Sequence, residues 1–142
     1  MEDKVTQSSQ ASLGDQSQKS NTQQGGTILA IDGQGLKRLF EAGLTWLRHH
    51  QAAINALNVF PVPDGDTGTN MLLTMQSAWT EIADSPDQNA GAIAHGVAHG
   101  ALMGARGNSG VILSQLWRGF ARSLDNKQTF AAADLAEAMQ EA

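Results

Sequence analysis

Apolar residues after about residue 28 recur three and four positions apart, and this spacing most constrains the fold. It predicts amphipathic helices, because side chains at that spacing share one helix face. No segment alternates apolar and polar residues over the length of a strand. Helices are predicted at about 33–47, 51–57, 69–83, 89–105 and 111–123, with a last one capped by Thr129 or Asp134. Short connections favour antiparallel neighbours, so we expect an all-α fold.

Residues 1–27 differ in composition from the rest of the chain. They are rich in Ser and Gln and nearly free of apolar side chains, so we expect a disordered tail before a domain at 28–142. A net charge of −5 gives no general attraction to nucleic acid, and no apolar run is long enough to span a membrane. The absence of cysteine excludes disulfides and fits a cytoplasmic location.

An acidic turn flanked by proline precedes the third predicted helix, in the sequence Asn-Val-Phe-Pro-Val-Pro-Asp-Gly-Asp-Thr-Gly-Thr-Asn-Met at 58–71. Asp64 and Asp66 are separated only by Gly65. A helix N-terminus binds anions through its free N–H groups. Paired carboxylates beside it suit Mg²⁺, which is usually held by one or two carboxylates together with phosphate oxygens. The turn therefore predicts a magnesium–nucleotide phosphate site.

Other interpretations of the acidic turn fit less well. A calcium loop would need an oxygen ligand and a glutamate where Gly68 and Met75 stand. A haloacid-dehalogenase phosphatase would need a buried strand before the first aspartate, where this chain has prolines. A structural Asx turn that caps the helix remains an alternative, although it explains one aspartate better than two.

A second polar turn, Arg106-Gly-Asn-Ser-Gly110, also opens a predicted helix. Its N–H groups and the Ser109 hydroxyl would hold phosphate oxygens, while capping of the helix by Asn108 or Ser109 explains the turn equally well. Arg106 would either neutralise transition-state charge in phosphoryl transfer or pair with an acidic neighbour. It is the one candidate catalytic residue.

Gly96, Gly100 and Gly104 fall four apart and would share one helix face. Each glycine costs about 1 kcal/mol of helix propensity relative to alanine. Something must compensate for this cost, so we expect another helix or a ligand to approach that face closely.

His95 and His99 also fall four apart. Two ligands without a third nearby make a poor zinc site, so we expect both on a solvated face. The aromatic side chains are predicted to lie in the core by their helical spacing. They are Trp46, Trp79, Trp117, Phe40, Phe60, Phe120 and Phe130.

The stretch at 58–71, followed by Gly-Ala-Arg-Gly-Asn-Ser-Gly-Val-Ile-Leu-Ser-Gln at 104–115, closely resembles the DhaL-like domain. This is the nucleotide-binding subunit of dihydroxyacetone kinases and the N-terminal domain of bacterial fatty acid kinase. The Asn-Val-Phe-Pro-Val-Pro form is more similar to the fatty acid kinase branch. The resemblance implies an up-and-down antiparallel barrel of eight helices. This chain would hold about six of them, with an apolar face left partly exposed.

The same resemblance implies ATP or ADP and Mg²⁺ at one end of the barrel. Asp64 and Asp66 match two metal-holding aspartates of the dihydroxyacetone branch, and Asn58 stands where that branch has a third. A neutral amide thus replaces one carboxylate among the implied metal ligands. The implied nucleotide contacts are Thr67, Gly68, Thr69, Asn70, Asn108 and Ser109.

Together these features predict the nucleotide-binding domain of an ATP-dependent phosphotransferase. The first hypothesis is a fatty acid kinase, which forms an acyl phosphate from a fatty acid carried by a DegV-like protein. One alternative is the L-type subunit of dihydroxyacetone kinase, with its substrate on a K-type subunit. Another is a non-catalytic nucleotide-sensing or partner-binding module. Nucleic acid and membrane are not expected as partners, and homodimer formation is left open.

Overall fold

A computed structural model describes residues 30–142, and these fold into five α-helices. The helices are α1 (Gly33–Ala56), α2 (Thr67–Ile82), α3 (Ala90–Met103), α4 (Gly107–Ser123) and α5 (Ala132–Glu141). In this described part the only extended pairing is a bridge between Ile31 and Phe130. The predicted all-α fold is therefore confirmed, whereas the predicted tail lies outside the described residues.

Helix α1 corrects one detail of the prediction. Two helices were expected, at about 33–47 and 51–57, but α1 is continuous from Gly33 to Ala56. The described chain therefore has five helices where about six were expected. No glycine or proline interrupts residues 44–56. The rings of His49 and His50 bond to carbonyl oxygens one turn earlier, so these side chains are accommodated on the helix. Asp32 caps α1 as predicted, because its Oδ1 accepts the Gly35 N–H at 2.8 Å.

The glycine stripe of α3 packs directly against α2. A Cβ atom placed on Gly100 would lie 2.8 Å from Ala78 Cα and 2.9 Å from the Ser77 carbonyl oxygen. At Gly96 it would lie 2.8 Å from Ile82 Cγ2. The expected close approach is therefore that of another helix. Helix α2 packs in addition against α1 and α4, and α5 packs on α4.

The aromatic prediction is right for most side chains and wrong for two. Trp46 is 69% exposed and Phe60 is 87% exposed. Trp46 lies on the outer face of α1, where it packs on the ring of His50, and Phe60 lies in the loop before α2. The aromatic side chains that join the core are Phe40, Phe120, Phe130, Trp79 and Trp117.

An apolar groove of about 400 Å³ opens between α1, α4 and α5. Leu39 and Met139 at its edge are 51% and 66% exposed. This matches the expected partly exposed apolar face. None of the helices in residues 30–142 combines the length and the apolar character needed to cross a bilayer.

Candidate functional site

The acidic turn and the second polar turn meet at one polar cavity of about 390 Å³. The cavity lies where the loop before α2, the first turn of α2 and the first turn of α4 come together. The loop contributes Asn58, Phe60, Pro61, Val62, Asp64 and Asp66, and the two helices contribute Thr67, Asn70, Gly107, Asn108 and Ser109. The structure thus brings together all three metal-ligand candidates, Asn58, Asp64 and Asp66, with the second turn, as the interpretation of a shared site requires.

Asn58 closes the loop that carries the two aspartates. Its Oδ1 accepts the Asp66 N–H at 3.1 Å, and its Nδ2 donates to the Val62 carbonyl oxygen at 3.4 Å. Gly65 has φ +63°, a left-handed conformation that glycine adopts without the steric cost of a side chain. As a result, Asp64 and Asp66 line the cavity and are both exposed to solvent.

The first turn of α2 is held by the end of α1. The Thr69 hydroxyl accepts hydrogen bonds from Gln51 Nε2 at 2.9 Å and from Asn55 Nδ2 at 3.0 Å. The backbone N–H of Thr69 donates to Asn55 Oδ1 at 3.1 Å. A Cβ on Gly68 would lie 2.5 Å from the Gln51 carbonyl oxygen. Of the six implied nucleotide contacts, Gly68 and Thr69 therefore face α1, and the other four line the cavity.

The first turn of α4 is held in turn by α2. The Arg106 N–H donates to Thr74 Oγ1 at 3.1 Å, and the Ser109 hydroxyl donates to the Thr67 carbonyl oxygen at 3.4 Å. Gly107 has φ +59°, and a Cβ there would lie 2.5 Å from Asn70 Nδ2. The two helix N-termini are thus fixed side by side at the cavity.

The cavity has the chemical character of an anion site beside a cation site. The first N–H groups of an α-helix lack intrahelical acceptors, and the helix dipole places partial positive charge there. At this cavity, two such helix ends adjoin two carboxylates. A hard cation could neutralise the carboxylates while the helix ends receive an anion. A polyphosphate with bound Mg²⁺ has this combination of charges.

Asn58, Asp64 and Asp66 offer side-chain oxygen atoms to a metal ion in the cavity. Among residues 30–142, no three His, Asp or Glu side chains converge as a metal site would require for an all-protein ligand set. Asp64 and Asp66 would therefore share an ion with water or ligand oxygens, as is typical of Mg²⁺ and not of structural zinc. Asn58 Oδ1 accepts one hydrogen bond and keeps a second lone pair. These residues fit Mg²⁺.

The remaining candidates lie away from the cavity. The Arg106 side chain is exposed and does not line it. His95 contacts Asp125, and His99 Nδ1 lies 3.3 Å from a carboxylate oxygen of Glu81. Both histidines are more than half exposed, so the predicted solvated face is confirmed.

Sequence reasoning missed Gln51, Asn55 and Thr74, the side chains that hold the two helix starts. Thr74 offered one signal: it is a polar residue between the apolar Leu72 and Met75, and all three are buried. Gln51 and Asn55 offered none, since polar residues near a helix end are usually solvated. Phe60 was also misplaced, and it forms an apolar wall of the cavity with Pro61 and Val62.

The family model described as the DAK2 domain matches residues 61–142. Protein YloV of Bacillus subtilis is 46% identical over 114 residues, which cover 80% of this chain and 21% of that protein. An uncharacterized protein of Staphylococcus saprophyticus is 46% identical over 113 residues, and one of Staphylococcus aureus is 43% identical over 113; these cover 80% of the chain and 20% and 21% of the relatives. The chain spans about a fifth of the length of these curated relatives.

Proposed function

Because the chain belongs to the DAK2 domain family, whose members are kinase-related nucleotide-binding modules, we propose that its polar cavity binds Mg-ATP and serves phosphoryl transfer. One observation carries this proposal. Two carboxylates and two helix N-termini, from turns far apart in sequence, border the same cavity. A structural Asx turn alone would not require Asn108 and Ser109 to adjoin Asp64 and Asp66.

Each side chain of the cavity has a role in this proposal. Asp64 and Asp66 would hold Mg²⁺, and Asn58 keeps their loop closed and would offer a neutral oxygen. Bound Mg²⁺ would neutralise charge on the β- and γ-phosphates. Thr67, Asn70 and Asn108 donate hydrogen bonds to phosphate oxygens. Ser109 donates through its backbone N–H, since its hydroxyl donates to the Thr67 carbonyl oxygen. Such fixed donors stabilise charge that develops during transfer.

The remainder of the proposed reaction consists of positioning. No covalent enzyme intermediate is needed, because holding donor and acceptor in line supplies much of the rate. Arg106 receives no catalytic role, since its side chain does not line the cavity. The proposed location is the cytoplasm, with which the absence of cysteine is compatible.

We take a fatty acid, presented by a DegV-like binding protein, as the proposed acceptor, with an acyl phosphate as the product. The Asn-Val-Phe-Pro-Val-Pro form of residues 58–63 favours this branch. Dihydroxyacetone on a K-type subunit is the alternative acceptor. A protein that binds Mg-ATP and transfers phosphate to neither acceptor would be a nucleotide-sensing module. An assay of phosphate transfer with each supplied partner separates these three outcomes.

Titration calorimetry with Mg-ATP tests the site directly. Asp64→Asn and Asp66→Asn keep the side-chain shape and remove the charge, so each is expected to weaken binding at least about tenfold, or about 1.4 kcal/mol. Asp84→Asn is the matched control, because Asp84 is an exposed aspartate beyond the far end of α2. It should bind like the unaltered chain.

Two results would contradict the proposal. If the unaltered chain binds no Mg-ATP, the cavity is not a nucleotide site. If it binds and neither cavity variant differs from Asp84→Asn, the assignment of the metal to these carboxylates is wrong.

A further inference from the structure

Thr74 is a fully buried polar residue of α2 that does not line the cavity. Its hydroxyl donates to the Asn70 carbonyl oxygen one turn back, at 2.8 Å. Threonines in helices often make such a bond. A second bond is less usual: the same oxygen accepts the backbone N–H of Arg106 at 3.1 Å, from a residue 32 positions later. One hydroxyl therefore joins two helices.

The hydrogen bond that Thr74 accepts comes from the residue at which α4 begins. Arg106 is the N-cap residue, and no side chain caps this helix. The N–H groups of Gly107 and Asn108, at the edge of the cavity, follow directly in the chain. Holding the Arg106 N–H therefore fixes where those groups lie.

Gly110 shows how closely the contact is fitted. A Cβ on Gly110 would lie 2.3 Å from Thr74 Oγ1, so the hydroxyl occupies the space where a side chain would stand. The Thr74 oxygen thus contacts the first turn of α4 on two sides. Interiors packed this closely do not deform gradually, so loss of the hydroxyl is expected to shift that turn.

We propose that Thr74 is a positioning residue that holds the α4 N-terminus against α2 and thereby fixes the Asn108–Ser109 turn opposite Asp64 and Asp66. The residue acts through Arg106 N–H and touches no ligand. This inference rests on the proposed function for its consequence in nucleotide binding. The structural part concerns the ligand-free chain and can be tested separately.

Thr74→Val tests the proposal, because valine has nearly the same shape and lacks the hydroxyl. With Mg-ATP as the probe, calorimetry on the 142-residue chain is expected to show a Kd about tenfold higher, equivalent to about 1.4 kcal/mol. Thr74→Ser restores the hydroxyl and should stay within about twofold of the unaltered chain, since the hydrogen bond to Arg106 is kept.

Two controls separate positioning from general stability. Thr80 lies on the same helix, is exposed, and donates to the Gln76 carbonyl oxygen at 3.0 Å, so Thr80→Val removes the ordinary back-bond alone. Ile82→Val shortens a buried side chain at the far end of α2. Both controls should leave the Kd for Mg-ATP within about twofold, because neither changes the contact with α4.

Amide hydrogen exchange without nucleotide gives the second measurement. Thr74→Val should speed exchange at residues 106–110 and leave residues 93–101 of α3 unchanged, while Ile82→Val should not have this local effect. Equal exchange at 106–110 in Thr74→Val and the unaltered chain would overturn the proposal, as would a Kd within twofold. Failure of the unaltered chain to bind Mg-ATP would end the proposed function, and the exchange comparison would still decide the role of Thr74.

Discussion

Thr67 and Thr69 begin the same helix turn and have different surroundings. Thr67 lines the cavity. The Thr69 hydroxyl is occupied by the amides of Gln51 and Asn55 on α1. A hydroxyl that already accepts two hydrogen bonds is part of the support of the site, whereas a ligand contact is proposed for Thr67.

Thr69→Val should therefore lower the stability of the fold more than it weakens ligand binding. Two amide donors lose their acceptor, so the free energy of unfolding is expected to fall by about 1–2 kcal/mol. Urea denaturation without nucleotide measures this change. Thr67→Val is the matched variant and should cost little stability while weakening Mg-ATP binding. If Thr69→Val leaves stability unchanged and Thr67→Val lowers it, the two assignments are reversed.

Part of this site could be predicted from the sequence, and part of it could not. Four residues of the site were predictable because each turn has an acidic or amide pattern typical of ligand contact. The structure places all four at one cavity: Asp64, Asp66, Asn108 and Ser109. The role of Thr69 was not predictable, since the direction of its side chain depends on how the end of α1 crosses α2. That crossing is a tertiary fact with no local signal in the Thr-Gly-Thr-Asn segment.

At the scale of the elements, the close packing of α3 against α2 requires glycine at the contact. At Gly100 a methyl group would meet the Ala78 Cα and the Ser77 carbonyl oxygen, backbone atoms that cannot rotate away. At Gly43, in the middle of α1, no atom of the described residues lies within 4 Å of an added Cβ.

Gly100→Ala and Gly43→Ala should consequently change stability in opposite directions. Alanine gains about 1 kcal/mol of helix propensity at either position. Overpacking at Gly100 should outweigh that gain and leave a net loss of about 1–2 kcal/mol. Denaturant unfolding of both variants measures the difference. Stabilisation by Gly100→Ala would mean that the two helices can separate at little cost.

Helix α5 carries one carboxylate, Asp134, in its first turn. Asp134 accepts the Ala131 N–H at 2.8 Å and pairs with Lys127 Nζ at 2.6 Å. The backbone hydrogen bond first, and Lys127 second, hold the pKa of the Asp134 carboxyl below its ordinary value of 3.8. Neither predicted residue, Thr129 or Asp134, is the N-cap of this helix: Ala131 holds that position, and Asp134 accepts its N–H from within the first turn.

A lowered pKa fixes the sign of the pH dependence. The stabilising contribution of Asp134 is present above the unfolded-state pKa, and it is lost as pH falls through the lower folded-state pKa. Asp134→Asn should therefore lower the melting temperature at neutral pH, with the difference shrinking below about pH 4. Thermal unfolding between pH 2 and 7 measures it, with Asp84→Asn as control. A difference that stays constant across this range would show that the charge of Asp134 does not matter.

Helix α1 shows where prediction at the element scale failed. The sequence predicted a second short helix from about Gln51, yet α1 continues through this point to Ala56, and its polar residues there lie on a solvated outer face. Polar residues end a helix only when they also offer a cap or a turn, and these offer neither. The break after Leu57 was predicted correctly, because prolines follow.

Over the whole molecule, the polar cavity and the apolar groove are separate features. The groove is lined by α1, α4 and α5 and includes Leu39 and Met139, whereas the cavity lies at the first turns of α2 and α4. The sequence predicted an incompletely covered apolar face from the resemblance, and its position follows from the way α5 packs on α4. The all-α class was predictable from periodicity alone, but the place of each helix required the packing.

The contact of α4 with α2 through Thr74 has a thermodynamic consequence. Since the two helix starts are already joined without any ligand, an arriving molecule need not order a segment of chain. When a segment orders on association, the apolar surface that it buries produces a large negative heat-capacity change, and the ordering itself costs entropy. Here the entropy of fixing the receptor is lost during folding, so the heat of binding would vary little with temperature.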